Sequence, residues 1–330
     1  MRRRAFIAMI ASAALAPLAA KAQQANAPKR IGVLMPFSAD DQEIKSELAG
    51  FVEQLQNLGW TDGGNIRIDY RWAGPDTQRL HADAKELIDL KPDLIFTRST
   101  PATAALVKNT RSIPIVFAVV SDPVGEGFVK SLARPGGNVT GFTNAEDSVT
   151  GKWLELLKQV APAMNRVGFI FDPKVAPRGG AYYTGLIKTA AASFAVSPVA
   201  MPVHDAGDIE RTMGDFAGAP DGGLVVLPDA TTNVNRAQVI ALAARLRLPA
   251  IYAFQNLVDE GGLMSYGVDV VDLFRHGANY VDRILKGTSP ADLPVQLPEK
   301  FELVVNLKTA KTLGLTISNQ MQLLANRVVE

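Results

Sequence analysis

The 330-residue sequence contains no cysteine, only three histidines and no long apolar run. Without cysteine the chain can form no disulfide, no thiolate nucleophile and no cysteine-ligated metal site. The histidines, His81, His204 and His276, lie far apart and lack the spacing of metal-binding pairs. The apolar run at residues 5–19 is shorter than the roughly 20 residues that a membrane-spanning helix needs.

The first 22 residues have the pattern of a secretory signal peptide. Arg2, Arg3 and Arg4 precede the apolar run, and Ala20-Lys21-Ala22 supplies a small-x-small cleavage site before Gln23. The arginines followed by an apolar stretch also resemble a twin-arginine signal, so general secretion and twin-arginine export both stay open. We expect a soluble mature protein in the periplasm.

The charge balance gives no support for nucleic-acid binding. Four of the 34 lysines and arginines lie in the predicted signal peptide, which leaves 30 basic residues against 33 acidic ones. The mature chain therefore has a net charge near −3 and no basic cluster that could neutralise phosphates. Its length of about 308 residues suits two domains of ordinary size.

Short apolar segments alternate with amphipathic helical patterns. Apolar residues three or four apart predict helices over residues 41–58 and 270–285, ended by Gly59 and Gly287. Alternating strands and helices indicate right-handed βαβ units and parallel sheets covered on both faces. The predicted strands are residues 31–35, 66–70, 94–97, 115–120 and 139–142, then 166–171, 199–203, 223–227, 250–253 and 263–266.

Two series of five strands predict an α/β fold of two doubly wound parallel-sheet lobes, with a hinge and an interlobe cleft. A polar loop at 143–150 and turn-rich segments at 261–267 and 293–300 indicate where the chain crosses between lobes. The predicted division is a signal peptide at 1–22, a first lobe at 23–145 plus 262–292, and a second lobe at 146–261 plus 293–330.

The carboxyl ends of the predicted strands carry the candidate ligand-binding residues. In open α/β sheets, ligands bind at these ends, where helix N-termini expose N–H groups. Hydroxyl, carboxylate and aromatic side chains gather there, as in a small-molecule cleft. The candidates are Phe37, Ser38, Arg98, Ser99, Thr100, Asp122, Asn144, Asp229, Phe254, Tyr266 and Asp269.

Each type of candidate has a purely structural alternative. Ser38, Thr100, Asp122 and Asp229 are good helix caps as well as good ligand contacts. Arg98 can bind a ligand carboxylate through two hydrogen bonds or form a salt bridge with a neighbouring loop. The aromatic candidates can stack on a flat ligand or close the ends of the core.

Searches for catalytic machinery find none in the sequence. There is no G-x-S-x-G nucleophile elbow, no complete dinucleotide or phosphate loop and no metal-ligand set. We therefore predict no catalytic residue, no cofactor and no metal site. The alternative enzyme hypothesis, a hydrolase or isomerase using Asp122 and Asp229 as an acid/base pair, lacks any nucleophile.

Several long motifs closely resemble a family of bacterial ABC-transporter substrate-binding proteins, the one that includes the tryptophan- and tyrosine-type binding proteins. The resemblance covers the chain from about Lys29 to the C-terminus. The motifs are IPIVF at 113–117, SDPVG at 121–125, SLARPGGNVTGF at 131–142, GKWLELL at 151–157, GGLMSYG at 261–267, YVDRILKG at 280–287 and FELVVNLK at 301–308.

The resemblance implies a type I periplasmic-binding-protein fold with three crossovers between its lobes. It also implies a monomer that captures a small solute, such as an aromatic amino acid or related carboxylate, and delivers it to a membrane permease with its ATPase. By this resemblance the Ser99-Thr100-Pro101 turn looks like the first-lobe site for a carboxylate or another acceptor group, and Asp122 looks like a partner for an ammonium or a ligand hydroxyl. Asp229 and Tyr266 would close from the second lobe and hinge.

Arg98 stands where we expect a small or polar residue in relatives, and an added cation favours an anionic ligand.

The sequence leaves one alternative in the binding class, a periplasmic sensor that presents its closed form to a membrane receptor.

Overall fold

The computed structural model describes residues 28–74, 76–144 and 147–330, so the predicted signal peptide and Gln23 lie outside it. All ten predicted strands are present among the described residues, together with two near the C-terminus. The strands are β1 Lys29–Met35, β2 Ile66–Trp72, β3 Leu94–Arg98, β4 Ile115–Ala118, β5 Val139–Phe142, β6 Arg166–Phe171, β7 Ser197–Pro202, β8 Gly222–Val226, β9 Ala250–Tyr252, β10 Met264–Gly267, β11 Glu302–Asn306 and β12 Arg327–Val329.

The helices fill the connections between these strands. Both helices predicted in detail are found, at residues 42–57 and 270–285. The α-helices are α1 Gln42–Asn57, α2 Thr77–Asp89, α3 Thr100–Asn109, α4 Ser148–Val160, α5 Ala181–Ser193, α6 Ala206–Ala217, α7 Ala230–Val234, α8 Arg236–Arg245, α9 Asn256–Asp259, α10 Val270–Leu285, α11 Leu307–Leu313 and α12 Asn319–Leu324, and short 3₁₀ turns lie at Pro177–Gly180 and Pro290–Asp292.

Two sheets define two lobes. The first is five-stranded in the order β2-β1-β3-β4-β5, with every pair parallel. The second is seven-stranded in the order β12-β11-β10-β9-β8-β6-β7. In each sheet the next strand in sequence lies on one side of the first strand and the strand after it lies on the other: β2 and β3 flank β1, and β7 and β8 flank β6. This reversal of strand order creates a topological switch point at the carboxyl ends of the strands, where ligands bind in such folds.

The chain returns to the first lobe after β10, because α10 packs there. The ring of Phe274 on α10 meets Phe96 of β3 edge-on at 5.1 Å, and Phe96 stacks on Phe51 of α1 at 4.3 Å. These three rings are fully buried. The burial of large aromatic surfaces at this contact fixes the helix to the first lobe although its neighbours in sequence belong to the second.

The structure corrects two details of the predicted organisation. Residues 262–292 were assigned to the first lobe, but β10 pairs with β9 and β11 in the second sheet, so the crossing follows Gly267. The predicted parallel sheets are found except at one pair of strands, since β11 runs antiparallel to β10. The reason is that β11 is reached from the other lobe rather than through a βαβ unit.

Candidate functional site

A narrow crevice runs between the two lobes, and six of the predicted ligand-binding residues line it. Of the six, four come from the first lobe (Phe37, Arg98, Ser99 and Thr100) and two from the second (Asp229 and Phe254). The space that they enclose measures about 20 Å³. Such a volume holds about one water molecule, so the lobes are close together in this conformation.

Arg98 lies in the crevice, but as half of a buried ion pair. Its side chain is 2% exposed, and Nε lies 2.9 Å from Oε2 of Glu47, which is itself 1% exposed. Glu43 lies farther away, with 4.0 Å between its Oε1 and Nη2 of Arg98. The salt-bridge alternative for Arg98 is thus present, with helix α1 rather than a loop as its partner. Arg98 is therefore not an uncompensated cation that by itself favours an anionic ligand.

Sequence reasoning missed Glu47, although a signal was available. Glu47 shares the buried face of α1 with Ile44, Leu48 and Phe51, since these residues are three or four apart. A carboxylate on the apolar stripe of an amphipathic helix needs a partner, because burying a charge alone is costly. Burial raises the pKa of Glu47 above its usual range, and the cation of Arg98 opposes that rise.

Ser99 occupies a strained position at the start of α3. Its φ of +83° lies in a region that residues other than glycine rarely adopt. Its hydroxyl is buried and, among the described residues, neither caps the helix nor finds another hydrogen-bond partner. Strain and an unsatisfied hydroxyl at a helix N-terminus together are typical of a ligand-binding position.

Asp229 caps α7 from the second lobe. Its Oδ1 accepts a hydrogen bond from the N–H of Thr232 at 2.7 Å, and its Oδ2 accepts one from the N–H of Asp172 at 2.8 Å. The capping alternative is thus present, and the same residue lines the crevice. Burial raises the pKa of Asp229 to about 7, although both hydrogen bonds favour the charged form.

Asp229→Asn is expected to flatten the pH dependence of stability. Because the folded-state pKa lies above the unfolded value of 3.8, the contribution of Asp229 is full below about pH 4 and is lost as the pH rises through about 7. Melting temperatures from pH 4 to 8 should fall more steeply for the wild type than for the variant. Parallel profiles would show that Asp229 titrates normally.

A second group of predicted residues joins the lobes beside the crevice. Asp122 pairs with Arg178, with 2.7 Å between Oδ2 and Nε, and Glu126 accepts the backbone N–H of Arg178 at 2.6 Å. The hydroxyl of Tyr183 donates to Ser121, which donates to Asn144 at 3.0 Å. Asp122 therefore makes a cross-lobe contact, whereas Asn144 is linked to the second lobe only through Ser121, and neither residue lines the crevice.

The remaining predicted residues lie elsewhere. Ser38 is exposed in the loop after β1, where its hydroxyl accepts the N–H of Asp40. The ring of Tyr266 stacks on Phe301 at 5.5 Å, next to the connections between the lobes. Asp269 caps α10 by accepting the N–H of Asp272.

On the opposite side of the crevice from Arg178, further polar contacts hold the lobes together. Arg236 of the second lobe pairs with Asp41 at 3.0 Å, and the amide of Asn256 donates to Glu43 at 2.6 Å. Asp41 also caps α1 by accepting the N–H of Glu43. Both lobes therefore contribute charged or polar partners on two sides of the crevice.

The described part of the chain shows neither the side-chain groups of a metal-binding site nor a helix that could span a membrane. Within residues 28–74, 76–144 and 147–330, no three or more histidine or acidic side chains are grouped so as to hold a metal ion. Over the same residues, no helix is both long enough and apolar enough to cross a membrane.

The protein has two sheet-based lobes that are joined by three connections, and residues of both lobes line the crevice between them. This architecture is that of a two-lobe solute-binding protein. The family model for ABC transporter substrate binding proteins matches residues 30–329. The chain belongs to this family, as the sequence motifs predicted, and is the solute-binding component of an ABC transporter. The predicted fold class is confirmed as well. Proteins of this family act outside the cytoplasm and bind their substrates.

Relatives with a named ligand are similar to this chain. A tyrosine-binding protein of Clostridioides difficile (strain R20291) is 28% identical over 267 residues, which cover 81% of this chain and 76% of the relative. The ABC domain from Streptococcus pneumonia in complex with L-Trp is 25% identical, with a TM-score of 0.85 over 92% of this chain and 100% of that one.

A third comparison is with a structure in an open form. The ligand-free, open structure of a substrate-binding protein with adhesive properties from Clostridium difficile is 28% identical and covers 91% of this chain and 99% of that one. Its TM-score is only 0.67. The score is lower than the 0.85 of the L-Trp complex, although the sequence identities are similar.

Proposed function

We propose that the mature chain, cleaved before Gln23, is a periplasmic monomer that captures a small carboxylate-bearing solute of the amino-acid type and delivers it to the permease and ATPase of its transporter. The observation that carries this proposal is the buried hydroxyl of Ser99. Among the described residues it has no hydrogen-bond partner, and it faces an interlobe crevice at the N-terminus of α3.

A carboxylate suits this position chemically. The N-terminus of a helix carries unpaired N–H groups and a partial positive charge, and both favour an anion. The N–H of Ser99 itself is used, since it donates to the carbonyl of Ala118 at 3.0 Å. In the first turn of α3, Pro101 has no N–H and the N–H of Thr103 donates to the carbonyl of Ser99 at 3.2 Å, so the hydroxyl of Ser99 is the main group left for the ligand. That one relative is named for tyrosine and another holds L-Trp supports an amino-acid ligand.

Capture follows from closure of the two lobes. A solute that contacts both lobes favours the closed state by its additional contacts there. Cross-lobe pairs such as Arg178–Asp122 and Arg236–Asp41 form only when the lobes meet, and they add to the stability of that state. The closed surface is then the form presented to the permease.

The proposal is tested by identifying what the protein carries. Residues 23–330 would be purified from the periplasm and unfolded, and the released small molecules identified by mass spectrometry. The refolded protein would then be titrated with a panel of amino acids, small carboxylates and neutral sugars. An amino acid or carboxylate that binds and compacts the protein in small-angle scattering supports the proposal. A tightly bound neutral sugar would contradict it.

Ser99→Ala is expected to separate binding from stability. Loss of a hydrogen bond to a charged ligand group costs about 1.5 kcal/mol or more, which weakens binding by at least about ten-fold. The melting temperature without ligand should stay the same or rise, because a buried hydroxyl without a partner is removed. Titration calorimetry and thermal unfolding measure the two effects.

The matched control for this variant is Ser112→Ala, because Ser112 is an exposed serine of the same lobe. It should alter neither quantity. If Ser99→Ala lowers the melting temperature and leaves the affinity unchanged, Ser99 has a structural role and the proposed carboxylate site is wrong.

A further inference from the structure

The side chain of Arg98 lies between one aromatic ring from each lobe. Its guanidinium carbon is 4.5 Å from the ring centre of Phe37 and 5.6 Å from that of Phe254. Phe37 follows β1 in the first lobe, and Phe254 follows β9 in the second. Planar guanidinium groups stack on aromatic faces at such distances, so Arg98 fills the slot between the two rings.

The far end of this slot is closed by carboxylates. Glu47 lies within 2.9 Å of the guanidinium and Glu43 at 4.0 Å, both on α1. Two aromatic faces and two carboxylates form a complete environment for a flat cation. In this protein the flat cation is the guanidinium of Arg98, whose side chain is only 2% exposed.

Two larger spaces between the lobes share lining residues with the crevice. One of about 530 Å³ is lined by Glu43, Glu47 and Phe254, among others, and one of about 340 Å³ by Pro101 and Val175, among others. The narrow crevice at Arg98 shares Phe254 with the first space, and Pro101 and Val175 with the second. Arg98 itself lines the narrow crevice and neither of the two larger spaces.

We propose that Arg98 determines the specificity of the cleft by occupying the slot between Phe37 and Phe254, so that the protein selects small non-aromatic carboxylates over aromatic amino acids. This inference rests on the proposed function, since it assigns a class of solute to the same cleft. An aromatic ligand must displace the guanidinium from two rings and two carboxylates before its ring can enter the slot.

Arg98→Ser tests the inference, with L-tryptophan and L-tyrosine as probes in titration calorimetry. We expect the variant to bind at least one of them about ten-fold more tightly than the wild type, because stacking on two rings becomes available to the ligand. The control is Arg166→Ser. Arg166 also lies over an aromatic ring, 4.5 Å from Phe216, but within the second lobe, so its loss should leave these affinities unchanged.

If Arg98→Ser folds poorly, the double variant Arg98→Ser/Glu47→Gln removes the buried carboxylate as well and is expected to show the same gain. Affinity that is unchanged or reduced in the folded variant overturns the inference, and a reduction identifies Arg98 as a direct ligand contact. The proposed function fails separately, if the periplasmic protein carries a neutral sugar or if Ser99→Ala binds as the wild type does.

Discussion

Replacing Glu47 with alanine is expected to lower the free energy of unfolding by about 3–5 kcal/mol, the cost of removing one partner from a buried ion pair. Glu47 is fully buried, and its oxygens are the nearest acceptors to the guanidinium of Arg98. A guanidinium cannot lose its proton in a protein, so Arg98 would stay charged and buried with only the more distant Glu43, at 4.0 Å, as its counter-charge. Urea denaturation at pH 7 measures the effect.

The two partners should respond unequally. In Arg98→Ser the buried carboxyl of Glu47 can take up a proton, since burial already raises its pKa. That variant should therefore lose much less stability than Glu47→Ala. Glu47→Gln keeps an oxygen acceptor and nearly the same volume, so it should lie between the wild type and Glu47→Ala. Equal losses for Glu47→Ala and Arg98→Ser would show that the pair does not behave as a buried ion and its counter-ion.

Gly267→Ala is expected to destabilise the protein by about 3 kcal/mol or more, the upper range for forcing extra atoms into a packed region. A Cβ atom built at this position lies 1.8 Å from the carbonyl oxygen of Ala253, which is backbone and cannot rotate away. Gly267 ends β10 at the point where the chain leaves the second lobe. The clash would push apart β10 and the loop after β9, so the connection between the lobes should also be displaced.

Gly185→Ala is the matched control for this substitution. Gly185 lies in the middle of α5, is exposed, and has nothing within 4 Å of a built Cβ. Alanine there should add up to about 1 kcal/mol through its higher helix propensity. Thermal and urea unfolding of the two variants should shift in opposite directions. A stable Gly267→Ala with the wild-type melting temperature would mean that the two segments can separate without cost.

The fold was largely predictable because its strands and helices follow local patterns. The buried strands read as short apolar runs, and α1 and α10 as strong 3.6-residue periods with caps at their ends. Strand β12, Arg327–Val329, is three residues long at the edge of the sheet and has an exposed arginine, so no apolar run marks it. The residues of β10 are marked by a local apolar run, but its place in the second sheet is not, because pairing between distant segments leaves no trace in a local pattern.

The site was predictable only in part. The rule that strand ends form the cleft singled out Phe37, Ser99 and Asp229, which line one crevice in the structure; that they bind a ligand stays a prediction. It could not say that Asp122 would be paired with Arg178, because that contact depends on how the lobes meet. Nor could it find Glu47, which acts from the middle of a helix rather than from a strand end.

The return of α10 to the first lobe has a consequence for the order of folding. The first lobe is assembled from β1–β5 and from a helix that is synthesised only after most of the second lobe. Until α10 emerges, Phe96 lacks one of the rings that cover it, and the early sheet exposes apolar surface. The first lobe therefore stays incomplete until α10 has been synthesised, and contacts of such long sequence separation slow folding. A nascent chain should remain a substrate for chaperones until α10 has been synthesised.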